Sequence, residues 1–181
     1  MSFIRAFVAN FLRPLVLLLV LAGIAASQEF PDKIRGYKVY VASAADQPPI
    51  VRLGKPVLSI DGLLSVAVEA GAEFTSPEQS GRVEFLTFQD IRVNGIAVEV
   101  EEYHHGFKFK KGEVVTLPAP IRGRIGIGAA ARAAYQELTD SHPDWRVTGT
   151  AFVFGKFKRY GFSFKRVVPV RLDLKITNPL R

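Results

Sequence analysis

The sequence predicts an all-β protein, an antiparallel β-sandwich of seven to eight short strands with one short helix late in the chain. Three observations carry this. Residues 64–74 alternate Leu64, Val66, Val68, Ala70, Ala72 and Phe74 on one face, the period of a half-buried strand. Asn94-Gly95 sits between two β-prone runs, and both central positions of a type I′ turn need the positive φ these residues tolerate best. Near the end, Val170, Leu172, Leu174 and Ile176 alternate with Arg171, Asp173 and Lys175, as in a sheet with one wet face.

The elements follow in order. Residues 1–27 hold Arg5 and Arg13, then the apolar run 14–26, and no acidic residue. Ala25 and Ser27 stand at the −3 and −1 positions of a cut before Gln28, the layout of a secretory signal peptide. An uncleaved anchor from about Ile4 to Ala26 is the competing reading. Either places the remainder in the periplasm or cell envelope. Residues 28–54 read as a linker with a short leading strand at 37–41, 55–176 as the sandwich, and 177–181 as a tail. Residues 55–60 open the regular part, and Asp61-Gly62 turns into the long strand 64–74.

Around Asn94-Gly95, a two-residue loop pairs Val93 with Ile96, Arg92 with Ala97 and Ile91 with Val98. Ile91, Val93, Ile96, Val98 and Val100 then share one face, and Asp90, Arg92, Glu99 and Glu101 the other. Leu86 and Phe88 are out of phase with Ile91 and Val93, which predicts a bulge or corner between Phe88 and Ile91. Strands follow at 113–117 and 121–127. The helix is expected over 128–138 on Ala propensity, with Ala131, Ala134, Tyr135 and Leu138 as its buried face and Arg132 and Gln136 opposite. Two more strands, 145–154 and 162–176, complete the pattern.

Composition narrows the chemistry. There is no cysteine, which excludes disulfides, thiolate metal sites and cysteine nucleophiles. Arg5 and Arg13 fall in the leader, so 22 of the 24 basic residues, against all 17 acidic ones, belong to the rest, a charge of +5. That balance suits anionic partners and also ordinary solubility. The adjacent His104-His105 point to opposite faces of a strand and do not chelate one metal easily; His142 is the third histidine. Glu99, Glu101 and Glu102, with Asp90 across the hairpin, lack any calcium-loop signature, and a diagonal Arg92–Glu99 pair accounts for the charges. Gly123, Gly126 and Gly128 precede the helix without the lysine and hydroxyl residue of a phosphate loop, so close packing of strand against helix is the better account. No nucleophile-elbow sequence occurs. No cofactor and no enzymatic activity are expected.

The most suggestive pattern is aromatic residues interleaved with basic ones, at 107–111 and again at 155–166. One reading packs each Phe in the core and leaves each Lys in water. The other makes Lys108, Lys110, Lys111, Lys156, Lys158 and Arg159 a contact surface for anionic head groups, each worth ~1 kcal/mol near an anionic membrane. Stacking of single-stranded nucleic acid on the aromatics is physically feasible, but the leader argues against nucleic acid as a partner.

The order of pieces resembles the group 2 late embryogenesis abundant family, also called the WHy (water stress and hypersensitive response) domain, over about 55–174. The matching pieces are the strand 64–74, the stretch Ile91-Arg92-Val93-Asn94-Gly95-Ile96-Ala97-Val98, the strand at 114–117 ahead of Pro118 and the Ala-rich helix. The strand Arg146-Val147-Thr148-Gly149-Thr150-Ala151 and the segment 164–174 with Pro169 complete them. The family's Asn-Pro-Asn after the long strand is here Thr75-Ser76-Pro77-Glu78, with only the proline kept. The resemblance implies an immunoglobulin- or fibronectin-III-like sandwich tied to desiccation and stress tolerance, with no catalytic residues. Expected partners are client proteins or anionic membrane lipids. A docking subunit of an envelope complex, using an open strand edge, is a further class.

Overall fold

The computed structural model describes residues 30–41, 49–159 and 161–180, with the side chain of Arg159 excepted. The expected leader lies outside the described residues. Among the described residues no helix is long and apolar enough to cross a membrane.

Asp32–Arg181 is a compact unit of its own, built of two β layers. The first layer uses β1 (Lys33–Ile34), β2 (Tyr37–Val39), β7 (Ser80–Val93), β8 (Ile96–Ala97), β10 (Phe107–Phe109), β13 (Asp144–Arg159) and β14 (Phe162–Thr177). Its order is β1-β2-β14-β13-β7-β10, with β8 on β7. The second layer uses β3 (Ile50–Leu53), β4 (Val57–Asp61), β5 (Ser65–Ala70), β6 (Ala72–Thr75), β9 (Glu99–Val100), β11 (Val114–Thr116) and β12 (Ile121–Gly126). It comprises two short sheets, β11-β6-β3 and β4-β5-β12-β9. The same three stretches of chain run through both in the same lateral order. They are therefore one layer bent along a line through Gly54, Gly71 and Pro118, where the Gly54 N–H donates to the Gly71 carbonyl at 2.8 Å. The all-β sandwich expected from the alternation is the fold observed.

The hairpin forms as its turn chemistry requires. Asn94 has φ 48° and Gly95 φ 80°, and Val93 pairs with Ile96 and Arg92 with Ala97. Asn94 does more than turn the chain: its amide N–H donates to the Arg146 carbonyl at 2.9 Å, and its Oδ1 accepts from the Arg146 N–H at 2.8 Å. Val98 still donates its N–H to the Ile91 carbonyl at 2.9 Å, as the expected register requires, and past it the second arm leaves β7. Glu99 and Val100 pair instead with Arg124 and Gly123 on β12, in the opposite layer. The expected Arg92–Glu99 pair is therefore not made. The Arg92 guanidinium donates to the Gly95 carbonyl, and Arg124 holds Glu101 at 3.2 Å and Asp61 at 3.0 Å.

The phase break between Phe88 and Ile91 is a bulge. Gln89 faces Thr150 and Arg92 faces Thr148, so Asp90 and Ile91 oppose Gly149 alone. Asp90 takes φ 53° to fit, and Gly149 takes φ 143°. A Cβ on Gly149 would lie 2.5 Å from Ile91 Cδ1 and 3.0 Å from two backbone carbonyls, so only glycine fits there.

Two sequence expectations are corrected. Ile50–Leu53, within the expected linker, is β3 and pairs antiparallel with β6; its mix of Arg52 and β-branched residues is too short to read as a strand without its partner. The helix α1 (Ile127–Thr139) exists, but it is rotated from the expected face. Ala131 and Ala134 are exposed, and Tyr135 and Leu138 are 68% and 87% exposed. Ala129, Ala130, Ala133 and Glu137 are the half-buried residues of the helix. A polar anchor sets this rotation. The Glu137 carboxylate accepts from the Ser141 hydroxyl, from Trp145 Nε1 at 3.3 Å and from Asn178 Nδ2 at 2.5 Å. Asn178 is fully buried and also donates to the His142 carbonyl at 2.8 Å. Charge-assisted hydrogen bonds in a part-buried place outweigh the few methyl groups an alanine face could bury.

Candidate anion-binding surface

Strand register decides which basic residues meet. Lys108 on β10 pairs with Arg82 on β7, Arg82 pairs with Lys156 on β13, and Lys156 pairs with Lys165 on β14. Residues in register share a face, so four exposed cations lie in one row across four neighbouring strands, on the face turned away from the second layer. Strands sit about 4.8 Å apart. Like charges placed directly opposite oppose folding. At ~5 Å in water each neighbouring pair repels by ~0.8 kcal/mol before salt screening. Lys158, exposed and opposite Ser80 and Ser163, extends the patch toward the β13–β14 turn.

The compensation for this row is small. Among the described residues, Glu84 is the carboxylate within ion-pair reach, 4.0 Å from Lys156. Glu84 also accepts the hydroxyl hydrogen of Tyr37. Burial, then the hydrogen bond and charge of Glu84, push the Tyr37 phenol up to about 12. Tyr37 packs edge-on against Phe154 at 5.1 Å and Phe85 at 5.8 Å, and Lys165 Nζ lies 4.2 Å from its ring centroid. Tyr37 thus sets an aromatic face under the Lys165 ammonium at one end of the row.

The aromatic members of the two interleaved stretches divide. Phe107, Phe109 and Phe157 are buried, with Phe74 5.7 Å from Phe107 and 5.1 Å from Phe109. For them the core reading holds. Phe162 and Phe164 behave otherwise: they are 68% and 40% exposed at the end of the β13–β14 hairpin. By register they lie on the face opposite Lys165 and Ser163. The hairpin end is a ribbon with phenylalanines on one face and lysines on the other.

Of the six basic residues singled out by sequence, Lys108, Lys156 and Lys158 come together. Lys110 and Lys111 are exposed on the turn after β10 and do not join the row. The Arg159 side chain lies outside the described residues. Arg82 and Lys165 were missed. Arg82 sits in a run with no aromatic neighbour on its own strand side, and only the pairing of β7 with β10 and β13 brings it into line.

The remaining polar candidates are local. His104 Nδ1 lies 3.7 Å from Glu102, which Arg35 holds at 2.7 Å, and the His105 ring packs on Tyr103. His142 Nε2 lies 3.4 Å from Asp140. Among the described residues no three His, Asp or Glu side chains converge as a metal site would need. The glycine cluster serves packing at one position: a Cβ on Gly123 would lie 2.9 Å from Val98 Cγ1 and 3.3 Å from the Glu99 carbonyl, so the close contact is with Val98 and β9 rather than with the helix.

No family model matches the chain, and no curated protein matches it. Among solved structures, the chain is similar to a protein from Archaeoglobus fulgidus known by its crystal structure. The two share 11% identity and a TM-score of 0.36 over 71% of this chain and 95% of that one.

Proposed function

We propose that this is a non-enzymatic β-sandwich that docks on anionic lipid surfaces at the cell envelope. The observation that carries the reading is the row Lys108–Arg82–Lys156–Lys165, four aligned cations with one carboxylate in reach among the described residues. Bringing them to an anionic surface replaces mutual repulsion by ~1 kcal/mol of attraction per residue, about 4 kcal/mol for the row. Phe162 and Phe164 lie on the opposite face of the adjoining hairpin end, so the docking face is carried by the cations and not by these rings. The expected leader would deliver the domain to such a surface. Protection of membranes during water loss, which the family resemblance implies, is one use of such docking.

The test is co-sedimentation of residues 28–181 with neutral and with anionic vesicles, at low and high salt. The expected result is binding to anionic vesicles alone, lost as salt rises and the Debye length falls from ~10 Å at 0.1 M to ~3 Å at 1 M. Equal binding to neutral vesicles, or no binding in any condition, overturns the reading.

A further inference from the structure

The space between the two layers is not filled. A partly open chamber of about 120 Å³ lies there, lined entirely by apolar residues, among them Ala70, Ala72, Ala151 and Gly123. Small side chains at these facing positions leave the gap. A second chamber of about 250 Å³ lies under α1, walled by Ala130 and Ala133 and rimmed by the polar residues Asn94, Gln136, Glu137 and Asp140. Leu58, Val93, Ile125 and Trp145 line both chambers, so the two adjoin with these side chains as the partition. Trp145 is half-buried, and its Nε1 is held to Glu137 on the helix at 3.3 Å. The helix and the partition are thus tied together by one hydrogen bond.

We infer that the two adjoining chambers form a binding site for the single hydrocarbon chain of an uncharged amphiphile, with its head group at the Gln136–Asp140 rim. The chemistry follows from the linings. A cavity this apolar offers water no partners and accepts hydrocarbon. An engineered apolar cavity of roughly 150 Å³ takes one benzene, six carbons. On that scale the inner chamber takes about five carbons and the outer about ten, a chain of medium length. The rim supplies hydrogen-bonding groups but carries Glu137 and Asp140. A hydroxyl or amide head fits there, whereas a carboxylate or phosphate meets like charge. This site lies between the layers, not on the lysine-bearing face, and stands independently of the docking reading.

The chain contains a single tryptophan, and it is the partition residue. Its emission therefore reports occupancy directly. Residues 28–181, which hold the compact unit Asp32–Arg181 with its own core, are titrated with 1-decanol below its solubility limit, and with decanoate at pH 8. Decanol is expected to shift Trp145 emission with one-to-one saturation and to raise the thermal midpoint; decanoate is expected to bind at least tenfold more weakly. Ala151→Leu fills the inner chamber and Ala133→Leu the outer, and each is expected to weaken decanol at least tenfold. Should Ala151→Leu fail to fold, Ala133→Leu on the helix decides alone. An unchanged Trp145 signal overturns the inference. So does decanol binding that survives Ala133→Leu, which would place the alcohol elsewhere, or decanoate binding as tight as decanol, which would remove the rim's role.

Discussion

Replacing Lys156 with serine removes the centre of the cation row and leaves Lys108, Arg82 and Lys165 in place. On folding, the change relieves two neighbour repulsions of ~0.8 kcal/mol each in water, less under salt. It also forfeits the pair with Glu84, whose carboxylate is 4.0 Å away with the lysine side chain 58% exposed. Such an exposed pair is worth under about 1 kcal/mol. The two effects nearly cancel, so the thermal midpoint of Lys156→Ser stays level or rises slightly. On anionic vesicles the same change removes ~1 kcal/mol, about a fivefold loss in partition. The triple change Arg82→Ser, Lys156→Ser and Lys165→Ser removes ~3 kcal/mol, on the order of 100-fold. Vesicle co-sedimentation at fixed salt, beside a thermal melt of each variant, reads both quantities. A triple variant that binds as the parent refutes the reasoning. So does one whose melting falls by several degrees, because the row would then be a structural feature.

Three further outcomes follow from the geometry. Gly149→Ala places a methyl group against Ile91 and two carbonyls at a positive φ, and should cost about 2–3 kcal/mol; a urea midpoint within error of the parent would show that the bulge relaxes freely. Tyr37 has a folded pKa raised to about 12 from 10, so the unfolded phenol loses its proton first. Its contribution is whole below pH 10 and is lost as pH rises to about 12; Tyr37→Phe should flatten that part of the stability curve, and an unchanged slope would sever the Tyr37–Glu84 link. Leu138→Ser should change stability by under about 0.5 kcal/mol, whereas Ala133→Asp on the inward side of the same helix should cost well over 1 kcal/mol; the reverse ranking in denaturant melts would restore the face the periodicity suggested.

The unfilled interior has its own consequence for stability. At about 24 cal/mol per Å³, a sealed void of about 120 Å³ would forfeit roughly 3 kcal/mol relative to a filled core, an upper bound for a chamber that is partly open. Domains of this size hold only about 5–15 kcal/mol in all. A core with Leu in place of Ala at positions 70 and 151 would be the obvious remedy if stability were the sole demand, so the void is a large concession within a small margin.

What was legible in the sequence is what short-range geometry dictates. Asn94-Gly95 specifies a two-residue turn, and the turn specifies the Val93–Ile96 register, because few other residues accept positive φ twice in succession. The shift of phase between Phe88 and Ile91 required one extra residue in a ladder, and the Asp90–Ile91 bulge supplies it. The helix was legible as a helix from its alanines, since propensity is local, but its rotation was not. Tyr135 and Leu138 form the apolar stripe that periodicity selects, yet Glu137 turns inward because Asn178, Trp145 and Ser141 wait there from three other places in the chain. The candidate surface divides the same way. Sequence alone determined a β-sandwich, its central hairpin and the presence of lysines interleaved with phenylalanines. Only the tertiary structure decided that Lys108, Arg82, Lys156 and Lys165 stand in one row, because register between strands up to 83 residues apart is set by the packing of the whole layer and by no local signal.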